Sequence, residues 1–208
     1  QLDVETAYLN AGVKETIYMR QVPGFEVAGN KVLRLKKSLY GLKQSGRNWN
    51  TCITSFLKEI GLRQSTTDPC FFHLMTESGT VVLLTVYVDD ILITGDAEKE
   101  MEDVIQKLGQ KFKVREITGD THQLLGMTIE RDMDARTMKI HQAAYIRRMM
   151  EDIDLSDTRP VKTPTPEDMY HQYVKATVDG DIRSEEFDYR GIIGCLIHLA
   201  NTSRPDIA

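Results

Sequence analysis

Apolar residues recur along this chain with two periods, one typical of helices and one typical of strands. Over residues 45–60 and 97–112 they return every three or four positions, which predicts two amphipathic helices. Ser45 is the expected N-cap of the first helix and Gly61 its expected C′ residue. The predicted core-facing positions are Trp49, Cys52, Ile53, Phe56, Leu57 and Ile60, then Met101, Val104, Ile105, Leu108 and Phe112. Two further helices are predicted, at about 142–153 and 185–201.

Shorter apolar runs predict strands and hairpins between these helices. The clearest hairpin joins about 70–76 to 80–87 through a polar turn at 77–79. A second hairpin is expected at about 123–130 and 137–140. Other short strand candidates lie at 2–4, 17–20, 32–35 and 91–93. The predicted fold class is therefore α+β, with antiparallel sheet and packed helices.

The residues Tyr87-Val88-Asp89-Asp90 stand between two apolar runs and predict a tight turn with two carboxylates at its tip. Adjacent carboxylates repel each other unless a cation lies between them, and Mg²⁺ prefers such oxygen ligands. Asp3, in a strand-like segment, is a third candidate that antiparallel packing would bring beside Asp89. Three converging carboxylates would hold two Mg²⁺ ions about 3.5–4 Å apart, as in-line phosphoryl transfer requires.

Composition and cysteine usage limit the class of protein. The 208 residues suffice for one large domain or two small ones, and 41% hydrophobic with 27% charged residues is ordinary for a globular protein. No apolar run approaches the length of about 18 residues that a membrane span needs, so we expect no membrane partner. The widely spaced Cys52, Cys70 and Cys195 favour a reducing compartment over disulfides or a zinc site.

The net charge of -5 conceals a basic segment at 31–63, which carries eight bases and a single acid, Glu59. Such a local strip can bind phosphates even in an acidic chain. A solvated charged face is the other interpretation, and charge alone does not decide between them. The basic strip comprises Lys31, Arg34, Lys36, Lys37, Lys43, Arg47, Lys58 and Arg63.

Three blocks stand in a specific order: QLDVETAYLN at 1–10, SLYGLKQ at 38–44 followed by Trp49, and YVDD at 87–90. Shorter motifs also occur, in order along the chain, at 17–19, 68–70, 125–127, 163–164 and 202–207. In these blocks the chain resembles the reverse transcriptases of copia-type (Pseudoviridae-like) retrotransposons. The resemblance implies an RNA-directed DNA polymerase with a reverse-transcriptase palm and a thumb-like C-terminal segment.

The resemblance also implies roles for individual residues. Asp3, Asp89 and Asp90 would be the catalytic, metal-binding triad, with Val4 as a further ligand, for two Mg²⁺ ions that Mn²⁺ can replace. Tyr8 would lie beneath the sugar of the incoming deoxynucleotide and exclude a 2′-hydroxyl. The implied nucleotide-binding residues are Val4, Glu5, Thr6, Ala7, Tyr8, Tyr40 and Gly41. The implied template-primer residues are Lys43, Gln44, Arg47, Tyr87, Val88, Leu125, Gly126 and Met127.

The same resemblance implies an organisation of the chain and its partners. Residues 1–120 would be a palm whose N-terminal fingers segment is missing, and 121–155 a primer-grip hairpin with a thumb-like helix. Residues 156–183, with three prolines and a polar acidic stretch, are expected to be a linker. Residues 184–208 would form a helix leading toward an absent ribonuclease H domain. The implied partners are an RNA or DNA template with primer, dNTP, and the remainder of a Pol polyprotein with integrase and ribonuclease H.

Other implications concern location and activity. The family implies an intracellular, cytoplasmic virus-like particle with nuclear delivery of the product, and we expect this fragment to be weakly active or inactive alone. Ser45-Gly46 stands where the family usually has Ala-Pro, which predicts a looser helix start.

Two alternatives stay open. One is a truncated, catalytically dead relic acting as a nucleic-acid-binding module. The other is a different palm-like two-metal phosphotransfer enzyme, such as a nuclease or a nucleotide cyclase. Tyr8 and the 40–44 block favour the polymerase.

Overall fold

The computed structural model describes residues 1–155, 157–159 and 188–208. These residues belong to two compact units, Gln1–Gly119 and Asp120–Ala208. Both units combine helices with antiparallel sheet, so the predicted α+β class is confirmed. Most of the predicted linker, residues 156 and 160–183, lies outside the described residues.

A six-stranded antiparallel sheet forms the centre of the first unit. Its strands follow the order β4-β5-β6-β7-β1-β8. They span β1 Leu2–Val4, β4 Arg63–Gln64, β5 Phe71–Met75, β6 Val81–Tyr87, β7 Asp90–Gly95 and β8 Val114–Glu116. The hairpins β5-β6 and β6-β7 match the predicted runs, because each run is apolar and bounded by turn residues. The edge strands β4 and β8 are too short to give a periodic signal, and sequence reasoning missed both.

Helix α1, Ser45–Glu59, ends in a Schellman motif. Gly61 has a φ of 102°, its N–H donates to the Lys58 carbonyl, and the Leu62 N–H donates to the Leu57 carbonyl. The predicted C′ glycine is thus confirmed. The predicted N-cap is wrong, because Gln44 occupies that position and the buried Ser45 hydroxyl donates to the Leu39 carbonyl at 2.5 Å.

One hydrophobic core joins both predicted helices to the same sheet. Trp49, Ile53 and Leu57 of α1 and Val104 and Leu108 of α2, Glu98–Lys111, share a cluster with sheet residues. The buried sheet residues in it are Leu2, Val4, Phe72, Leu84, Val86 and Ile91. Trp49 is 2% exposed, so its predicted place in the core is confirmed. Burial of this shared face, at about 25 cal/mol per Å² of apolar surface, is what stabilises the first unit.

Two strands outside the main sheet also match prediction. β2, Tyr18–Met19, pairs with β3, Leu33–Arg34, as an antiparallel ribbon.

The three cysteines are free, as their spacing predicts. Within the described part of the chain, no helix is long and apolar enough to span a membrane.

The second unit contains a three-stranded sheet where a two-stranded hairpin was predicted. Strands β9 Thr121–Leu124, β10 Met127–Asp132 and β11 Thr137–His141 pair in the order β11-β10-β9. The expected strand at 123–130 is wrong, because Leu125 (φ 51°) and Gly126 (φ 78°) form a two-residue turn inside it. Positive φ at both central residues is the type I′ pattern, which reverses the chain.

Two helices complete the second unit: α3, Ala143–Asp152, and α4, Tyr189–Thr202. Residues 184–187 at the predicted start of the last helix lie outside the described residues. The buried Gln142 connects the two helices, since its Oε1 accepts hydrogen bonds from Thr202 (2.5 Å) and Ser203 (2.7 Å). Its amide also lies 3.1 Å from His198 Nε2.

Candidate active site

The strand pairing brings two of the predicted carboxylates together. β1 runs antiparallel to β7, with Asp3 directly opposite Asp90 and Leu2 opposite Ile91. Leu2 and Ile91 are buried, whereas Asp3 and Asp90 are half-buried on the other face of the sheet. Directly opposite Cα atoms lie about 4.5–5.5 Å apart in such a pair. The residue aligned with Asp3 is therefore Asp90, where sequence reasoning expected Asp89.

Asp89 lies in the β6-β7 turn, whose backbone is strained and held from two sides. Val88 has a φ of 55°. A left-handed conformation is rare for a β-branched residue and costs about 1–3 kcal/mol. The Trp49 indole N–H donates to the Val88 carbonyl at 2.6 Å, and the Val4 N–H donates to the Asp89 carbonyl at 2.8 Å. Helix α1 and strand β1 thus fix the position of the acidic turn.

Strand β8 and the residue before it place cations beside Asp3 of β1 and beside Glu5, which follows β1. The Arg115 guanidinium lies 3.3 Å from Asp3 Oδ2, and Lys113 Nζ lies 2.5 Å from a Glu5 carboxylate oxygen. The Gln1 amide donates to Asp90 Oδ1 at 3.1 Å. These contacts offset the repulsion expected between like charges on opposite strands.

The donor set suits a magnesium ion, but the side chains are not arranged as a closed metal site. In the parts of the chain that the structure describes, no group of three or more His, Cys, Asp or Glu side chains is placed to hold a metal ion. Asp3 is directed toward Arg115 and Asp90 toward Gln1. Both contacts are longer than 3 Å and incompletely buried, and all three aspartates offer the hard oxygen atoms that Mg²⁺ prefers. The three aspartates therefore fit the ion in two respects: their oxygen atoms are of the right kind, and all three lie around the start of β7.

The segment from Val4 to Ala7 is already engaged in hydrogen bonds and packing. The Val4 N–H is bonded to Asp89 and the Glu5 N–H donates to the Lys113 carbonyl at 2.9 Å, so neither amide is free to receive a phosphate. Val4 and Ala7 are buried, so a ligand could reach them only through backbone atoms other than the Val4 nitrogen. Thr6 is exposed with a φ of 51° and begins the 3-10 turn Ala7–Asn10.

Tyr8 is half-buried and makes an aromatic contact with Tyr40. The ring centroids lie 4.5 Å apart with an interplanar angle of 39°. Tyr40, an implied nucleotide-binding residue, thus makes a contact that sequence reasoning missed. Gly41, next in the chain, has a φ of 95°, a conformation that favours glycine.

Two of the predicted template-primer residues, at and just before the start of α1, line a surface groove. Gln44 and Arg47 contribute to a cavity of about 510 Å³ that Lys14 also lines. Lys43 and Arg47 are exposed, as are the other six members of the basic strip. None of the ion pairs between described residues involves a member of the strip. Its charges therefore face solvent and are available for phosphates.

The remaining predicted residues fall into two places. Tyr87 is 58% exposed at the end of β6, and Val88 packs against the core. Leu125, Gly126 and Met127 belong to the second unit, at the β9-β10 turn.

Sequence reasoning missed three features of the site: the hydrogen bond from Trp49 to the acidic turn, the contact of Arg115 with Asp3, and the role of Asn10. The Asn10 amide lies 3.3–3.4 Å from the carbonyls of Glu5, Thr6 and Ala7 and so supports the turn that carries Tyr8. Asn within a turn motif is a usable signal, because its side chain commonly bonds nearby backbone. Arg115 gave none, since its strand has only three residues.

Residues 1–167 match the family model described as "Reverse transcriptase (RNA-dependent DNA polymerase)". The chain therefore belongs to the reverse transcriptase family.

Relatives support the copia-type assignment. The chain is 35% identical over its whole length to a retrovirus-related Pol polyprotein from transposon TNT 1-94 of Nicotiana tabacum, and spans 16% of it. It is likewise 35% identical to the polyprotein from transposon RE1 of Arabidopsis thaliana, of which it spans 14%. A putative transposon Ty5-1 protein of Saccharomyces cerevisiae is 29% identical, with 66% of its length covered. The predicted family is thus confirmed. No solved structure matches the chain.

Proposed function

We propose that this chain carries the polymerase site of an RNA-directed DNA polymerase. It would extend a primer 3′-hydroxyl with deoxynucleotides on an RNA or DNA template, as part of a longer Pol polyprotein. The single observation that supports this best is the β1-β7 pairing, which sets Asp3 opposite Asp90 beside the turn that carries Asp89. These two segments are far apart in sequence, and a reverse transcriptase needs both acidic elements at one point.

Asp3, Asp89 and Asp90 would hold the two Mg²⁺ ions, with the Val4 carbonyl as a further oxygen ligand. The ions would lower the pKa of the primer hydroxyl and neutralise charge on the leaving pyrophosphate. The protein's own contribution is rigidity: the Trp49 and Val4 hydrogen bonds hold the turn in one geometry before substrate arrives. Tyr8 would form the wall below the sugar.

The exposed basic strip would bind the template-primer backbone. Neutralised phosphates release counterions, which is the main source of such affinity. Binding should therefore weaken steeply as salt concentration rises. The β9-β10 turn would contact the primer strand, and the first and second units would act as palm and as primer grip with thumb.

Primer extension with dNTP and Mg²⁺ on an RNA template tests the proposal. Asp89→Asn keeps the shape of the side chain and removes its charge, so extension should fall roughly a thousandfold. Binding of the primer-template, measured by fluorescence anisotropy, should be retained. Asp103→Asn is the matched control, because Asp103 is an exposed acid of α2 paired with Lys107.

Each outcome has a definite meaning. Extension by Asp89→Asn at the wild-type rate would exclude the metal role of that residue. Because this chain alone is expected to be weakly active or inactive, the deciding result comes from a longer Pol polyprotein that contains it. Such a polyprotein, if it folds and binds primer-template but never extends it, would replace the polymerase with a nucleic-acid-binding module. Preference for ribonucleotides without a template would point to a cyclase-like enzyme.

A further inference from the structure

Tyr8, in the 3-10 turn that follows β1, forms an aromatic pair with Tyr40. Their ring centroids lie 4.5 Å apart, within the range of interacting aromatic rings, with the ring planes tilted by 39°. Tyr8 is half-buried, whereas Tyr40 is 57% exposed. An exposed tyrosine loses side-chain entropy when it is held against another ring. The position of the Tyr40 ring against Tyr8 therefore has to be explained by the backbone segments that contain the two residues.

Those segments are bonded to each other through the backbone. The Ala11 N–H donates to the Tyr8 carbonyl at 3.1 Å, and the Ser38 N–H donates to the Ala11 carbonyl at 2.9 Å. The buried Ser38 hydroxyl in turn accepts a hydrogen bond from the Asn48 amide at 3.1 Å. The two tyrosines thus belong to one hydrogen-bonded assembly that also includes the first turn of α1.

Tyr8 has space on another of its sides. It borders a cavity of about 230 Å³ that is also lined by Trp49, Val86 and Val88, and to which Tyr40 does not contribute. A ring beside such a cavity can retreat into it. A steric wall discriminates between two sugars only if it stays in place when the larger sugar presses against it.

We infer that Tyr40 is a positioning residue that holds the Tyr8 ring in place and thereby sets the preference of the site for deoxynucleotides over ribonucleotides. The inference rests on the proposed polymerase function and adds a second residue to sugar selection. Tyr40 acts through Tyr8, because its own ring lies in tilted contact with that side chain. Without Tyr40, Tyr8 would have the cavity on one side and solvent in place of its partner ring.

The test measures kcat/KM for dGTP and for GTP in Mg²⁺-dependent primer extension. Thermal protection by the same two nucleotides gives the preference without turnover. Tyr40→Leu should lower the dGTP:GTP ratio by roughly two- to tenfold, the range expected for losing one aromatic pair, chiefly because GTP is used better. Tyr40→Phe keeps the ring pair and should keep the ratio.

Two further variants separate positioning from general damage. Tyr18→Leu removes a tyrosine of similar exposure, 60%, from strand β2 and should leave the ratio unchanged. Tyr8→Ala should itself reduce the ratio, and adding Tyr40→Leu to it should change the ratio no further.

The outcomes distinguish the two levels of the argument. A wild-type chain that discriminates, with Tyr40→Leu discriminating equally well, overturns the inference alone. Equal losses with both nucleotides in Tyr40→Leu also overturn it, because they indicate a purely structural role. A folded Pol polyprotein that contains this chain, but neither extends primers nor is protected by either nucleotide, overturns the proposed function, and the inference with it.

Discussion

Replacing Trp49 by Phe removes the hydrogen bond that holds the acidic turn while keeping an aromatic ring in the core. In the wild type the indole N–H donates to the Val88 carbonyl at 2.6 Å, and the ring packs edge-on against Phe112 at a centroid distance of 5.2 Å. Phenylalanine can restore part of the ring contact with Phe112 but cannot donate the hydrogen bond to Val88. The Val88 carbonyl would then be left without its partner at the edge of the core.

The expected loss of stability follows from three contributions. A buried carbonyl that loses its donor costs about 1–3 kcal/mol, and the smaller ring adds roughly 1 kcal/mol for lost packing. Relaxation of the Val88 backbone, strained by about 1–3 kcal/mol, returns part of this if the turn moves. We therefore expect a net loss of roughly 2–3 kcal/mol, or a Tm about 5–15 °C lower.

Denaturant unfolding followed by far-UV circular dichroism measures this loss. Tryptophan fluorescence is unsuitable, because Trp49 is the only tryptophan in the chain. Hydrogen exchange of the peptide covering residues 86–91 reports on the turn itself. Phe112→Leu is the matched control: Phe112 is 4% exposed and contacts Trp49, but the Val88 carbonyl keeps its donor. It should lower stability without a selective increase in exchange at the turn.

A double-mutant cycle with Val88→Gly could refute the reasoning. Glycine adopts a positive φ without strain, so in that background Trp49→Phe releases no strain that would offset its cost. The cost of Trp49→Phe should then be larger by more than about 0.5 kcal/mol, the usual error of additivity. Strictly additive losses, or exchange at 86–91 that rises equally in Phe112→Leu, would show that Trp49 is only a core residue.

Three other predictions concern separate parts of the chain. Arg115→Gln removes the cation 3.3 Å from the β1 carboxylate; because the Arg115 side chain is 68% exposed, stability should change by less than about 1 kcal/mol, while Mn²⁺ titrated alone should bind more tightly, and an unchanged Kd would contradict this. Gly95→Ala sets a methyl group against the β6 backbone and should cost roughly 1–3 kcal/mol, whereas Gly109→Ala, in an open position of α2, should stabilise by about 0.5–1 kcal/mol; equal effects in denaturant melts would count against the close approach. The hydrogen bond from His141, together with a nearby lysine, lowers the pKa of Glu130 below its usual 4.5, so the pair stabilises the fold above that value and the benefit is lost as the pH falls through the lower folded pKa. Glu130→Gln should therefore lower Tm near neutral pH, and the difference should disappear once acid has protonated the Glu130 carboxylate; a difference that persists in strong acid would refute the assignment.

The sequence by itself determined the elements whose signals are local. Helices α1 and α2 follow from apolar residues at helical spacing, and the end of α1 follows from Gly61, whose positive φ suits a residue without a side chain. The β5-β6-β7 succession follows from apolar runs separated by short polar turns. The three sequence blocks also sufficed for the family, since they occur in the order and spacing that the family has.

The tertiary structure alone decided how these elements meet. Asp3 and Arg115 are 112 positions apart, and Trp49 and Val88 are 39 apart. Sequence reasoning expected Asp3 beside Asp89, but the register of β1 against β7 aligns it with Asp90. It also missed the turn at Leu125-Gly126, because a leucine at positive φ contradicts local preference and is tolerated only where strand pairing on both sides requires the turn.

The physical reason is the range of the forces involved. Helical periodicity and turn chemistry act between residues a few positions apart, so a short stretch of sequence contains them completely. Strand register, ring contacts and ion pairs depend on which distant segments the core brings together, and burial of the whole apolar surface selects that arrangement.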